Sequence, residues 1–206
     1  MSDARAEILA ALEAADVPPG PRIERVPAPT MPDDPIGTLR ARIEQSGGSL
    51  ARVGRPSLRE DLEWPLPFDS IRHLYVTASL AGDDTGLAGR GEGVLAMPES
   101  AAPDRLAALE VCVLEARFAV VENGAAWHVP ISSRERRAAL LAEHLIVCVN
   151  EAALVASLHQ AYDRIALTEI DFGWFLCGPS KTADIEQSLV LGAHGPCTMT
   201  LVLLGD

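Results

Sequence analysis

Two uninterrupted apolar runs constrain the fold of this chain more than any other feature of its sequence. Residues 144–149 read His-Leu-Ile-Val-Cys-Val and residues 198–204 read Thr-Met-Thr-Leu-Val-Leu-Leu. Continuous runs of aliphatic and β-branched residues are typical of buried strands. The sequence therefore predicts at least two strands in the interior of a sheet.

Helical patterns alternate with strand patterns along the rest of the chain. The predicted helices cover residues 36–45, about 57–63, 133–143 and 151–162, and the other predicted strands cover residues 49–53, 73–77, 111–114, 118–121, 125–129 and 175–177. Such alternation indicates an α/β fold with a mainly parallel sheet and crossover helices. Asn123-Gly124 predicts a hairpin turn with positive φ between two of the strands.

Size and charge restrict the classes of function. A chain of 206 residues fits one domain, and its formal net charge of -12 argues against a nucleic-acid partner, which requires clustered Lys and Arg. No apolar run reaches the ~20 residues that a membrane span requires. The N-terminal residues are too polar for a signal peptide, so we expect a cytoplasmic protein.

The N-terminal residues predict a separate arm. Ile8, Leu9 and Leu12 lie at helical spacing within residues 4–15, and a proline-rich linker of no clear period follows to residue 35. We therefore divide the chain into an arm with its linker (residues 1–35) and an α/β domain (residues 36–206). One hypothesis is that the arm forms a homo-oligomer.

The cysteine and histidine residues predict neither a metal site nor a cofactor. Four cysteines are widely spaced with no C-x-x-C pair, and the five histidines show no i, i+4 pairing. Three of the cysteines lie in apolar, strand-like runs, where a thiol usually acts as a small hydrophobic group. A segment rich in Gly and Asp, residues 79–99, is either a mobile surface loop or a ligand lid.

Residues 178–196 are the most distinctive stretch. A strand end, then small and hydroxyl residues, then a predicted helical turn would bring free backbone N–H groups and hydroxyl oxygens together, as a carboxylate or phosphate requires. The alternative is that Ser180, Thr182 and Asp184 cap the helical turn. A phosphate loop is excluded by register, because Pro179 and Ser180 separate Gly178 from the lysine.

The same stretch carries a resemblance to a known family. Residues 178–196 are similar to the signature of the LUD domain, as found in the LutC/YkgG family. The turn Val-Glu-Asn-Gly at residues 121–124 resembles the family's Ala-Glu-Asn-Gly turn, and Leu-His-Gln-Ala-Tyr at residues 158–162 is similar to its Met-His-Glu-Ala-Tyr segment. The likeness covers about residues 111–204.

The resemblance implies a fold and a role. The implied fold is a three-layer sandwich related to the sugar-phosphate isomerase and CoA-transferase (NagB/RpiA/CoA-transferase-like) superfamily. The implied role is that of a non-redox subunit that works with LutA-like and LutB-like iron-sulfur proteins in oxidising L-lactate to pyruvate.

The resemblance also selects candidate site residues. The candidates for binding a small carboxylate or phosphate are Asn123, Gly124, Gly178, Ser180, Lys181, Thr182, Asp184, Glu186 and Gly195. His194 is either a proton donor in a cleft or a structural histidine. Cys197 departs from the family, which usually has Arg after Gly-Pro, and a thiol cannot make the bidentate contact of a guanidinium.

Glu122 supports an alternative function. Class I CoA transferases carry a similar Glu-Asn-Gly loop in which the glutamate attacks an acyl-CoA, so Glu122 is a candidate nucleophile. The alternative interpretation is an ordinary hairpin turn with a solvated carboxylate.

Overall fold

Five helices and eleven strands make up the regular structure in the computed structural model, which describes residues 4–15, 20, 26–87, 108–185, 188–191 and 195–205. The helices are α1 (Ala4–Ala14), α2 (Pro35–Gln45), α3 (Leu58–Asp61), α4 (Ser133–Leu141) and α5 (Leu158–Arg164). The strands are β1 (Ser49–Gly54), β2 (Leu74–Val76), β3 (Val111–Glu115), β4 (Phe118–Val120), β5 (Ala126–His128), β6 (His144–Asn150), β7 (Leu154–Val155), β8 (Trp174–Leu176), β9 (Lys181–Ile185), β10 (Ser188–Leu191) and β11 (Thr198–Gly205).

The central sheet has five strands in the order β1-β11-β6-β3-β2, and every neighbouring pair is parallel. The two apolar runs of the sequence are β6 and β11, which lie inside this sheet. Residues 145–149 of β6 and 201–204 of β11 are apolar and buried on both faces of the sheet. The prediction of a mainly parallel central sheet is confirmed.

Each face of the central sheet is covered by its own hydrophobic cluster. Leu145 and Val147 of β6 pack with Leu39 of α2 on one face. Ile146 of the same strand packs with Leu58 of α3 on the other face. Alternate residues of one strand thus enter different clusters, which gives the three-layer α/β arrangement that the resemblance implied.

A second sheet packs beside the central one. Its order is β7-β4-β5-β8, with β4 antiparallel to β5 as the predicted hairpin requires and β5 antiparallel to β8. Phe118, Trp127 and Phe175 form its aromatic core, with ring centroids 4.7–6.4 Å apart. The sequence predicts the hairpin but not that these strands form a sheet of their own.

The helix predicted over residues 151–162 is wrong in its first half. Residues 151–153 form a single 3-10 turn, β7 follows, and the helix α5 begins only at Leu158. The helix starts there because Ser157 accepts the N–H of Gln160 through its Oγ. Leu154 and Val155 instead pair with β4, which satisfies their backbone groups in the sheet.

The helical turn predicted within residues 178–196 is also wrong. The segment forms an antiparallel hairpin, in which Lys181 pairs with Leu191 and Thr182 with Val190. Thr182 and Val190 are β-branched, and such residues favour extended backbone over helix. Neither Ser180 nor Thr182 nor Asp184 caps a helix in this arrangement, and residues 178–185 and 188–191 contain no helix N-terminus that could bind an anion.

The arm predicted at the N-terminus is the helix α1, and none of its residues is buried. Ile8, Leu9 and Leu12 are 60%, 44% and 65% exposed. In the described part of the chain, no helix combines the length and apolar character that crossing a bilayer requires. The division between arm and domain at residue 35 stays a prediction.

Candidate functional site

The loop between β4 and β5 holds three of the predicted site residues. The side-chain oxygen of Asn123 accepts the N–H of Ala125 at 3.0 Å, which fixes a tight local turn. Gly124 has φ +78°, and a Cβ at this position would lie 3.0 Å from Cγ1 of Ile43 in α2. Only glycine fits, because both the backbone conformation and the approach of α2 exclude a side chain.

Glu122 is exposed at the rim of this loop, and its carboxylate has a structural partner. Its Oε2 accepts the N–H of Leu158 at 2.9 Å, in the first turn of α5. Its own N–H donates to the carbonyl of Ala156 at 3.1 Å. The side chain of Glu122 therefore stabilises the start of α5, a contact that the sequence does not predict. Its role as a nucleophile stays a prediction.

A second predicted segment meets the end of α2. Gly178 has φ +72°, and a Cβ placed on it would lie 2.5 Å from the carbonyl oxygen of Ser46 and 2.8 Å from its Oγ. The preceding Cys177 donates through Sγ to the carbonyl of Asn123 at 3.3 Å. These contacts join the strand end at residue 178 to the turn at residues 122–124.

Three further candidates complete the group. The N–H of Ser180 donates to the carbonyl of Pro196 at 2.9 Å, and a Cβ placed on Gly195 would lie 3.1 Å from Ser180 Oγ. The amine of Lys181 reaches residue 47, where a Cβ would lie 3.4 Å from its Nζ. We call residues 46–48, 122–124, 177–181 and 195–197 the turn cluster. It lies beside the amino ends of β1 and β11.

Most backbone amides in the turn cluster are already bonded within the protein. The N–H groups of residues 47, 48, 124 and 180 donate to the carbonyls of Glu44, Ile43, Val120 and Pro196 respectively. The hydroxyl of Ser46 also donates, to the carbonyl of Ile43 at 2.7 Å. These four amides are therefore not free to bind an anion, and the anion site expected from the sequence stays a prediction. The ammonium of Lys181 and the hydroxyl of Ser180 are the described groups suited to an anion.

Of the remaining candidate site residues, two are described only by their backbone and two are not described. The backbone of Thr182 and of Asp184 lies in β9, beyond Lys181. Glu186 and His194 lie outside the described residues. The structure thus brings Asn123, Gly124, Gly178, Ser180, Lys181 and Gly195 together with Glu122 at their rim, although these residues come from segments more than fifty positions apart.

The four cysteines fall into two groups. Cys112 and Cys148 are fully buried in the central sheet, and burial raises the pKa of both thiols above the ordinary value. They match the expected inert, hydrophobic thiol. Cys177 and Cys197 are exposed and belong to the turn cluster. Within the described residues, no three His, Cys, Asp or Glu side chains are grouped as a metal would require.

A buried polar network lies between the central sheet and the second sheet. Glu135 of α4 is 0% exposed, and its Oε2 accepts hydrogen bonds from the hydroxyls of Tyr75 and Thr77, each at 2.9 Å. Its Oε1 lies 3.0 Å from Nε2 of His128. Nδ1 of the same imidazole donates to the carbonyl of Glu115 at 2.9 Å, because a carbonyl oxygen can only accept.

These donors decide the charge of the buried carboxyl group. Burial by itself would raise the pKa of Glu135, but the hydrogen bonds from His128, Tyr75 and Thr77 outweigh it, and the pKa lies below the ordinary value. The same arrangement raises the pKa of Tyr75, mainly by burial and then by the negative charge of Glu135. Glu135 is therefore an ionised, paired group in the core.

The start of the Gly- and Asp-rich segment is tied to the carboxyl edge of the central sheet. The guanidinium of Arg55 donates to Asp84 and to Glu115, each at 2.8 Å. Leu87 is fully buried. Residues 79–87 are therefore anchored, and the proposed loop or lid at residues 88–99 lies outside the described residues.

The sequence predicts neither the hydrogen-bond network of Glu135 nor the ion pairs of Arg55. Glu135 occupies the first turn of a polar helix, with a hydroxyl residue three positions earlier, which predicts only a cap, and Ser132 does accept the N–H of Glu135. Tyr75 and His128 each lie in strand patterns that predict burial of the ring. The residues of each network lie on elements that are far apart in the sequence and meet only in the folded chain, so no sequence pattern predicts their contacts.

Comparison with known proteins identifies the family of this chain. Residues 88–204, more than half of the chain, match the LUD domain. Lactate utilization protein C of Bacillus pumilus (strain SAFR-032) is 25% identical over 188 residues, which is 86% of this chain and 71% of that protein. Lactate utilization protein C of Exiguobacterium sp. (strain ATCC BAA-1283 / AT1b) is 29% identical over 102 residues, which is 47% of this chain and 44% of that protein.

A third relative and a solved structure agree with these matches. Lactate utilization protein C of Bacillus subtilis (strain 168) is 34% identical over 77 residues, which is 34% of this chain and 32% of that protein. The matched stretch thus spans less than half of two of these three relatives. The crystal structure of a DUF162 family protein from Deinococcus radiodurans superposes with a TM-score of 0.63 at 16% identity, over 83% of this chain and 96% of that one. This likeness shows a shared fold.

Proposed function

Because the chain belongs to the LUD domain family, and its relatives carry the name Lactate utilization protein C, we propose that it takes part in lactate utilisation. Its role is that of a non-redox component of an L-lactate oxidising system. The sequence has no C-x-x-C pair for an iron-sulfur cluster, so in this proposal LutA-like and LutB-like partners carry the electrons. The proposal places the protein in the cytoplasm.

The observation that carries this proposal is the convergence of the signature residues in the turn cluster. Gly178 and Gly124 are held in conformations that a side chain would not allow, at the point where α2 packs against both. Lys181, Cys177 and Cys197 are exposed there. A rigid, exposed cluster with one cation suits either the carboxylate of a small acid or the acidic surface of a partner subunit.

Reconstitution with partners tests the complex. The full chain is mixed with purified LutA-like and LutB-like proteins, and the mass of the assembly is measured by light scattering. We expect a stable complex that Lys181→Ala weakens at low salt, because a rim cation mainly contributes electrostatic attraction. Arg72→Gln, an exposed substitution outside the turn cluster, is the matched control. A mixture that shows only separate components contradicts the proposed complex.

Titration with small anions tests the binding role separately. L-Lactate, pyruvate and inorganic phosphate are titrated into the full chain by calorimetry, and the Ser180→Ala and Lys181→Ala variants are compared with Arg72→Gln. We expect weak binding, with a dissociation constant on the order of 1 mM, because only one charge and one hydroxyl are available. Equal affinity in the wild type and both cluster variants would rule out the turn cluster as the anion site.

An alternative function is acyl or CoA transfer with Glu122 as the nucleophile. The observation that favours it is the exposure of this carboxylate at the rim of the turn cluster. Attack on a thioester would join the carboxylate oxygen to the acyl carbon and release the thiolate. Mass spectrometry after incubation with acetyl-CoA is expected to show an acetyl adduct that Glu122→Gln removes. An unmodified wild-type mass excludes this function for that acyl donor.

A further inference from the structure

A cleft that shares no residue with the turn cluster lies at the beginning of α4. Its volume is about 370 Å³, which is near the lower end of the usual range for small-molecule sites. The walls come from the start of β4, the loop and first turn of α4, and the segment between α5 and β8. No residue of the lactate-utilisation proposal lines it.

Two cations line this cleft without a carboxylate partner. Among the described residues, neither Arg117 nor Arg136 has an ion pair within 4.0 Å, although the chain carries a net charge of -12. By contrast, Arg52 is paired with Glu151 at 2.6 Å and Arg55 with Glu115 at 2.8 Å. Guanidinium groups without an ion-pair partner are well suited to bind a carboxylate.

Two anions line the same cleft, and they too are unpaired. Glu169 and Asp171 come from the segment before β8, whereas Arg117 precedes β4 and Arg136 belongs to α4. In the described part of the chain, no carboxylate of this pair lies within 4.0 Å of a basic group. The cleft is therefore lined by both basic and acidic side chains that form no ion pair within 4.0 Å among the described residues.

Besides two serines, Ser132 and Ser133, the rest of the lining is apolar, and part of it is exposed. Phe172 is 39% exposed and Ile131 is 74% exposed at the cleft. The guanidinium carbon of Arg136 lies 4.6 Å from the centroid of the Phe172 ring, a cation–π contact that fixes the plane of the guanidinium while leaving its N–H edge free. An apolar ligand group would find both a ring and an aliphatic side chain here.

We infer that this cleft binds a free α-amino acid with an apolar side chain. The carboxylate would lie against Arg117 and Arg136, the ammonium against Glu169 and Asp171, and the side chain against Phe172. A zwitterion is the ligand class that satisfies both pairs of charges at once. A simple carboxylate would leave two acidic groups facing its own charge, and a simple amine would leave two cations unmatched.

Calorimetry of the full chain with a panel of L-amino acids tests the inference. We expect L-phenylalanine or L-leucine to bind, and 3-phenylpropionate and phenethylamine, which lack the ammonium and the carboxylate, to bind at least about tenfold more weakly than L-phenylalanine. L-Lactate is expected not to compete, which separates this site from the turn cluster. The inference is overturned if no amino acid binds at up to about 10 mM or if 3-phenylpropionate binds as tightly.

Substitutions assign any binding to this cleft. Arg136→Gln and Asp171→Asn are each expected to weaken L-phenylalanine at least about tenfold, because each removes one of the charges that the zwitterion requires. Arg72→Gln and Asp61→Asn are exposed controls that remove the same charges elsewhere. Arg117→Gln serves in place of Arg136→Gln if the circular dichroism of that variant shows loss of fold. Unchanged affinity in folded variants of both signs contradicts the assignment.

Discussion

At the scale of single residues, two positions depend on their surroundings more than a sequence pattern indicates, namely the buried Glu135 and the glycine at position 178. Glu135 is an ionised group in the core, stabilised by the hydroxyls of Tyr75 and Thr77, by His128 and by the N–H of Ile131. Gly178 occupies a point where backbone conformation and the approach of Ser46 both exclude a side chain. Each of these residues makes a prediction that its own substitution tests.

The buried carboxylate predicts how stability depends on pH. Because the pKa of Glu135 is lower in the folded state than its ordinary value of 4.5, ionisation stabilises the fold above that pH. The stabilisation is lost as the pH falls below about 4.5 and through the lower, folded value. Urea unfolding from pH 7 to pH 3 is expected to show a flatter acid limb in Glu135→Gln than in wild type.

Exposed Glu60 provides the control for this pH profile. Glu60→Gln removes the same charge from α3 without touching the buried network, so its acid limb should match that of wild type. A Glu135→Gln variant whose unfolding free energy changes with pH as steeply as that of wild type would show that the network does not set the acid stability.

Substitution of Gly178 is expected to destabilise the fold because of the backbone conformation and the close contacts at this position. Gly178→Ala forces a Cβ to within 2.5 Å of the carbonyl oxygen of Ser46 at a φ of +72°, so we expect a loss of roughly 1–3 kcal/mol in the free energy of unfolding. Gly54→Ala is the matched control, because φ is -67° there and the nearest atom, of Pro56, is 3.8 Å away. Equal stability of the two variants would mean that the turn cluster is not rigid.

At the scale of elements, two segments whose sequence predicts a helix form strands instead. Leu154 and Val155 carry a helical spacing in the sequence, but they pair with β4 because a strand partner is available there. The hairpin of β9 and β10 replaces the predicted helical turn for a different reason, because its β-branched residues favour extended backbone and its two strands pair with each other. Local spacing describes what a segment prefers by itself, whereas pairing depends on strands brought close by the rest of the fold.

The start of α5 makes the prediction at this scale. Ser157 is fully buried and its Oγ accepts the N–H of Gln160, while Glu122 accepts the N–H of Leu158. Ser157→Ala should therefore lower the free energy of unfolding by roughly 0.5–2 kcal/mol. Ser79→Ala, at an exposed side chain with no described hydrogen bond, should leave it unchanged, and a matching loss in both variants would rule out capping as the cause.

At the scale of the whole molecule, the sequence predicts the architecture better than it predicts the site. The buried strands β6 and β11 and the parallel order of the central sheet follow from continuous apolar runs that alternate with helices. The turn cluster also follows in part, since a resemblance to a family selected Gly124, Gly178 and Ser180 together. The sequence does not predict that the N–H of Ser180, one of the amides expected to bind an anion, donates to the carbonyl of Pro196, because these two residues meet only in the folded chain.

The arm makes a prediction for the whole molecule. Because no residue of α1 is buried, deleting residues 1–15 should leave a domain that still unfolds in one cooperative thermal transition. If exposed Ile8, Leu9 and Leu12 join two copies, the deletion should also lower the mass measured by sedimentation. A truncated chain that fails to fold would show instead that the arm belongs to the core.

Growth of the source organism on lactate tests the proposed role in lactate utilisation. The gene is deleted, and growth is measured with L-lactate or with pyruvate as the only carbon source. We predict that the deletion strain grows on pyruvate but not on L-lactate, and that the intact gene restores growth. Equal growth of the deletion strain and its parent on L-lactate would contradict the claim.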